Sequence, residues 1–218
     1  MILKSFGCSF IFGSDLSDDG RYGGHATYSL YSWPAVLSRK LELKYSCYAR
    51  PGSGNLRILE RVLTQAACNE KDLFIIGWSY IDRFDYTDHS DTWETVLPGN
   101  NTDQSRSYYR DFHSQFKDKL TSLVYIKTAI DVLSDKQIPF VMTYMDPLLF
   151  EKEWHTTPAV TDLQDQILPY MNTFNGQTFL EWSYDNDFEI SSNKHPLEPA
   201  HRAAADLLLP MVREKLKD

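Results

Sequence analysis

The chain is short of cysteine, of long apolar runs and of positive charge, and each shortage removes a class of protein. Its three cysteines, Cys8, Cys47 and Cys68, are odd in number and far apart, so neither a disulfide framework nor a zinc site is expected. We read them as reduced thiols, Cys8 as a small apolar filler at a strand end. No apolar stretch approaches the roughly 20 residues that cross a bilayer, and the opening Met1-Ile2-Leu3-Lys4-Ser5-Phe6 turns polar too soon for a signal peptide. That predicts a cytoplasmic protein without membrane contact. Thirty Asp and Glu against 22 Lys and Arg give a formal charge of -8. A nucleic-acid partner would meet net repulsion, and no local basic patch offsets it. Neither Gly-x-Gly-x-x-Gly nor Gly-x-x-x-x-Gly-Lys-Ser/Thr occurs, which argues against a nucleotide-binding domain. His25, His89, His113 and His155 are scattered without metal-ligand spacing, so no metal is expected.

What is present is a globular composition, 42% hydrophobic and 14% aromatic over 218 residues, enough for one core and short for two. We therefore expect one domain over 1–218. Residues 2–6 read as a buried strand running into Gly7-Cys8-Ser9, and 13–28 as loop. A helix over 33–43 follows Ser32 and Pro34, an N-cap and first-turn pair. Residues 44–49 fit a short strand, 56–68 an amphipathic helix, 72–77 a very apolar strand, 116–133 a helix and 139–144 a fourth strand. A fifth strand is expected near 178–182, and a last helix over 199–217 that Pro210 should kink or split. Strands alternating with helices predict a mainly parallel sheet covered on both faces, and residues near 82–110 and 151–168 read as insertion or lid segments.

In such sheets, binding groups collect in the loops past the carboxyl ends of the strands. Three of these loops carry polar chemistry: Gly7-Cys8-Ser9, Pro51-Gly52-Ser53-Gly54-Asn55 and Gly77-Trp78-Ser79. A fourth block, Asn193-Lys194-His195-Pro196, precedes the last helix. In this order the four blocks resemble those of the SGNH (GDSL-like) hydrolases, over nearly the whole chain. The Ser-Phe-Gly-Cys-Ser-Phe opening and the Gly-Trp-Ser-Tyr-Ile-Asp-Arg segment further resemble an uncharacterised branch of that superfamily met in bacteriophage genomes.

The resemblance implies a three-layer α/β/α sandwich of flavodoxin-like type with about five mostly parallel strands, and a serine esterase that needs no cofactor. It implies Ser9 as nucleophile and His195 as the base that takes its proton. It also implies an oxyanion hole from the N–H groups of Ser9 and Gly52, with a side-chain donor at Ser79, where the family has Asn. Asn55 is close enough in sequence to substitute for that donor. Ser192 stands where the family has the acid, so the acid or orienting group is either displaced, with Asp187, Asp185 and Glu198 as candidates, or replaced by a carbonyl in a Ser-His dyad. Trp78, Tyr80, Arg83 and Asp85 are candidate pocket-lining residues, Arg83 as an anion clamp or the partner of a neighbouring acid, and His201 is a packing residue and fallback base. The expected substrate is a small-molecule or glycan ester, carbohydrate O-acyl or O-acetyl groups included. The alternative is a degenerate domain that binds a glycan or protein partner without cutting, as Ser192 and Ser79 suggest.

Overall fold

The computed structural model describes residues 1–19, 27–68 and 72–216. Residues 20–26 of the expected first loop, His25 among them, and the last residue of the expected final helix lie outside these. Strand β1 (Ile2–Phe6) leads into a four-residue helix α1 (Ser9–Phe12), followed by α2 (Trp33–Lys40), β2 (Lys44–Cys47) and α3 (Asn55–Cys68). Then come β3 (Leu73–Trp78), an antiparallel hairpin of β4 (Phe84–Thr87) and β5 (Trp93–Val96), α4 (Asp103–Asp111) and the long α5 (Gln115–Asp135). The chain closes with β6 (Phe140–Tyr144), α6 (Pro158–Ile167), α7 (Phe179–Asp185) and α8 (Glu198–Lys215).

β1, β2, β3 and β6 form one fully parallel sheet in the order β2-β1-β3-β6. Side chains of β3 alternate between faces with a period of two. Leu73 and Ile75 join a core with Trp33, Leu37, Phe179, Trp182, Ala204 and Leu208, under α2, α7 and α8. Phe74, Ile76 and Trp78 join a second core with Ile58, Val62, Ile126, Ile130 and Val160, under α3, α5 and α6. This is the expected α/β sandwich, with helices on both faces of a parallel sheet.

The structure departs from the sequence reading at three points. Residues 178–182 form no strand: Thr178 and Glu181 make a reciprocal capping box that opens α7, and the sheet edge beyond β6 is instead met by a single parallel bridge between Met142 and Met171. Pro210 does not split α8. Ser32 precedes α2, but its hydroxyl donates to Ser29 O and accepts no N–H from the helix. The stretch 82–110, which has no clear period, holds the β4–β5 hairpin and α4. Among the described residues, no helix is long and apolar enough to cross a membrane, and no three His, Cys, Asp or Glu side chains are grouped to hold a metal ion.

Candidate active site

The site is built where β1 stops. β1 is buried from Leu3 to Phe6 and ends at Gly7, where the backbone takes a φ of 155°. A Cβ there would lie 2.6 Å from Ile11 Cγ1 and 2.8 Å from the carbonyl oxygen of Gly77, so only glycine lets the chain turn against the end of β3. The Cys8 carbonyl then accepts the N–H groups of Ile11 and Phe12 at 3.2 and 3.0 Å, which makes Ser9 the first residue of α1. Gly13, in the left-handed region, closes the helix by donating its N–H to Ser9 O at 2.8 Å. Ser9 is buried, and the chain passes directly into the loop that carries Asp15.

Asp15 also adopts a left-handed φ, 66°, which a short polar side chain tolerates better than most. The loop is held on several sides. Leu16 is buried, the Asp15 N–H donates to Asp19 Oδ2 at 3.1 Å, and the Ser17 N–H donates to Glu198 Oε1 at 2.6 Å. Opposite it, residues 190–196 make a tight turn, with an Ile190–Pro196 bridge, Ser191 N–H on His195 O at 2.8 Å and Lys194 at a φ of 63°. The turn holds His195 against the edge of the Phe10 ring, at 5.1 Å between centroids.

The two loops bring together groups 180 residues apart. His195 Nε2 lies 2.9 Å from Ser9 Oγ, and His195 Nδ1 lies 2.8 Å from Asp15 Oδ2. A carboxylate only accepts, so it fixes the imidazole proton on Nδ1 and leaves the Nε2 lone pair facing the serine hydroxyl. Asp15 takes two more donors, Ser191 Oγ at 2.6 Å and Asn193 Nδ2 at 3.2 Å. Burial pushes the Asp15 carboxyl up, but the hydrogen bonds from Ser191, His195 and Asn193 outweigh it and hold the group below the usual carboxylate range.

The acid beside His195 is therefore Asp15, and the positions first considered are corrected. Ser192 is exposed on the turn and does not meet the imidazole. Asp187 is exposed at a left-handed turn after α7. Glu198, at the start of α8, holds the backbone of Ser17. Reasoning from the sequence missed Asp15 because it looked only beside the histidine, although Gly13-Ser14-Asp15 follows the nucleophile block directly.

The remaining predicted residues divide. The N–H groups of Ser9 and Gly52 have no protein acceptor among the described residues, and Gly52 sits at a φ of 76° with only Leu97 Cδ1, 3.7 Å away, near the place of a Cβ. Asn55 is not a free donor: its Nδ2 bonds Ser79 O and Ser122 Oγ at 3.3 and 3.1 Å, while its Oδ1 accepts the Ser79 N–H at 2.7 Å. Ser79 is buried and its hydroxyl has no hydrogen-bond partner among the described residues. Trp78 is fully buried in the second core, with Nε1 on Met142 Sδ. Arg83 lies over the Tyr80 ring and donates to Ser53 O at 3.1 Å, so it staples the Gly52 loop. Tyr80 is partly buried against the core, and burial, with the Cys8 thiol next, pushes its phenol up to about 12.

Asp85, which the sequence reading grouped with Trp78, Tyr80 and Arg83 as a candidate pocket-lining residue, fixes the other side of that loop. Its buried carboxylate accepts the N–H groups of Gly54 and Arg57, each at 2.9 Å, and the Thr95 hydroxyl at 2.6 Å. His201 is a packing residue. Its Nδ1 accepts the Trp33 N–H at 3.0 Å, and burial drives its pKa down to about 3.

No protein-family model matches the sequence, and no curated protein matches it. Solved structures do match in fold. The psychrotrophic esterase EstA from Pseudoalteromonas sp. superposes with a TM-score of 0.57 at 11% identity, covering 100% of this chain and 99% of its own. A member of the lipolytic protein G-D-S-L family from Veillonella parvula gives 0.53 at 13% identity, over 96% and 97%. The acetyl xylan esterase Est2A from Butyrivibrio proteoclasticus gives 0.52 at 12% identity, over 99% of this chain and 64% of that one. The likeness is one of fold over the whole chain.

Proposed function

We propose that this protein is a serine hydrolase of the SGNH (GDSL-like) kind that cleaves an ester through Ser9, His195 and Asp15. The observation that carries the reading is the unbroken run from Ser9 Oγ through His195 to Asp15, at 2.9 and 2.8 Å. His195 takes the hydroxyl proton as Ser9 Oγ attacks the ester carbonyl, and the imidazolium that forms is stabilised by Asp15. The imidazolium then returns the proton to the departing alkoxide, and a water activated by the same histidine releases the acyl group. The N–H groups of Ser9 and Gly52 stabilise the developing oxyanion.

A third oxyanion donor is the weak point. The Asn55 amide is engaged elsewhere, and the Ser79 hydroxyl is shorter than the asparagine it replaces. Loss of one donor costs about 3 kcal/mol, or 10² to 10³ in rate, so a slow esterase is expected. The substrate class we favour is a short acyl ester, O-acetyl groups on a carbohydrate included, by analogy with the esterases of like fold. The oxyanion deficit is also what favours a second reading, a site that holds an ester-bearing glycan without cutting it.

Labelling with a fluorophosphonate, read by intact mass, tests the proposal. An adduct is expected on the wild type and on neither Ser9→Ala nor His195→Ala. No adduct on folded wild-type protein moves the assignment to the binding reading.

A further inference from the structure

We propose that Ser191 is the positioning residue that assembles the acid–histidine pair from two separate loops, an inference that rests on the hydrolase reading above. In the family resembled, the acid and the histidine belong to one short block; here they come from opposite ends of the chain, so something must join them. The Ser191 hydroxyl does so with its full bonding capacity. It donates to Asp15 Oδ2 at 2.6 Å, the oxygen that faces His195 Nδ1, and it accepts the backbone N–H groups of His195 and Asn193, both at 3.2 Å. One donor and two acceptor sites are all a hydroxyl has, so its rotor is fixed by three partners, two of which belong to the pair.

The arrangement explains how an acid on a different loop is held in register with its histidine. Asp15 Oδ1 is held by the exposed Asn193 side chain at 3.2 Å, and the base of the Asp15 loop is docked on α8 by the Ser17 N–H to Glu198 contact at 2.6 Å. Without the Ser191 hydroxyl, Asp15 Oδ2 loses a donor, the His195 backbone loses an acceptor, and the two loops are joined by the Asp15–His195 bond itself and the exposed Asn193 contact. Besides His195, the charged groups facing Asp15 among the described residues are Asp19, which accepts its N–H, and Glu198 next to Ser17. None of them changes in the variants below.

Two measurements test this independently. The first is the carboxyl titration of Asp15 followed by carbon-13 NMR in the wild type, Ser191→Ala and Ser191→Thr. Alanine is expected to raise the Asp15 midpoint by about one pH unit, the size of one charge-assisted hydrogen bond, and threonine to restore it. The second is kcat/KM on 4-nitrophenyl acetate across pH, where alanine is expected to lose roughly tenfold, with the low-pH limb moved upward, and threonine to recover within about threefold. An unchanged Asp15 midpoint together with an unchanged rate in Ser191→Ala overturns the proposal.

A moved midpoint in a protein that cleaves no ester and takes no fluorophosphonate instead overturns the hydrolase reading while leaving the positioning role standing. Should Ser191→Ala fail to fold, Asn193→Ala removes the donor to Oδ1 from an exposed position. It is expected to move both readouts in the same direction by a smaller amount, and no movement in either counts against the proposal.

Discussion

Replacing Asp15 by asparagine removes a charge and little else, and its consequence can be worked from the geometry. His195 Nδ1 and Asp15 Oδ2 are 2.8 Å apart, with side-chain exposures of 17% and 25%. Charge centres near 4 Å at a partly exposed site, with an effective dielectric of about 20, interact by about 4 kcal/mol once the imidazole is protonated. That is about 10³ in rate. A larger loss would follow if the new amide turned its NH2 toward Nδ1, because the imidazole proton would move to Nε2 and face Ser9. The surroundings disfavour that orientation.

The Ser191 hydroxyl and the imidazole N–H both converge on the Oδ2 position, so an NH2 there meets two donors. On the Oδ1 side it meets only the exposed Asn193 amide, which can flip to accept. The tautomer is therefore kept and the charge alone is lost. We expect kcat/KM on 4-nitrophenyl acetate to fall by about 10³ in Asp15→Asn, with unchanged near-ultraviolet circular dichroism. A loss of less than tenfold, in a protein whose Ser9→Ala variant is inactive, would falsify the assignment of Asp15 as the acid.

Two further outcomes concern the frame around the site. His201 has a folded pKa near 3, below its unfolded value of about 6.5, so its contribution to stability is complete above pH 6.5 and declines as pH falls toward 3. The wild type should lose about 2 kcal/mol from this group between pH 6.5 and 5, and urea unfolding of His201→Gln at both pH values should lack that increment; equal pH slopes contradict the account. In Gly54→Ala the new Cβ would stand 2.6 Å from Oδ2 of the Asp85 carboxylate, a group that three donors, one on Oδ2 and two on Oδ1, hold in place. Stability should drop by about 2–3 kcal/mol in denaturant unfolding, and an unaltered midpoint would mean that the Gly52 loop yields more easily than its bonding implies.

The sequence by itself determined the layers and the strand-end loops. Apolar strands such as 72–77, alternating with amphipathic helices such as 56–68, admit little besides a parallel sheet covered on both faces, and Ser9 and His195 were singled out by the resemblance of their blocks to the SGNH hydrolases. Local hydrogen bonds that carry no hydrophobic period escaped the reading. The capping box at Thr178 turned an expected strand into α7, and the β4–β5 hairpin arose in a stretch with no clear alternation.

Only the tertiary structure brings Asp15 to His195 and engages Asn55 and Trp78 elsewhere. Asp15 is one of 30 Asp and Glu residues, and it is singled out only when the loop after α1 meets the turn before α8. Asn55 and Trp78 carry the side chains expected of an oxyanion donor and a pocket wall, but Asn55 is occupied by the Ser79 backbone and Trp78 lies in the core. The physical reason is the same in each case. Residue type fixes what a side chain can bond, whereas contacts across up to 186 residues of chain fix which bond it makes.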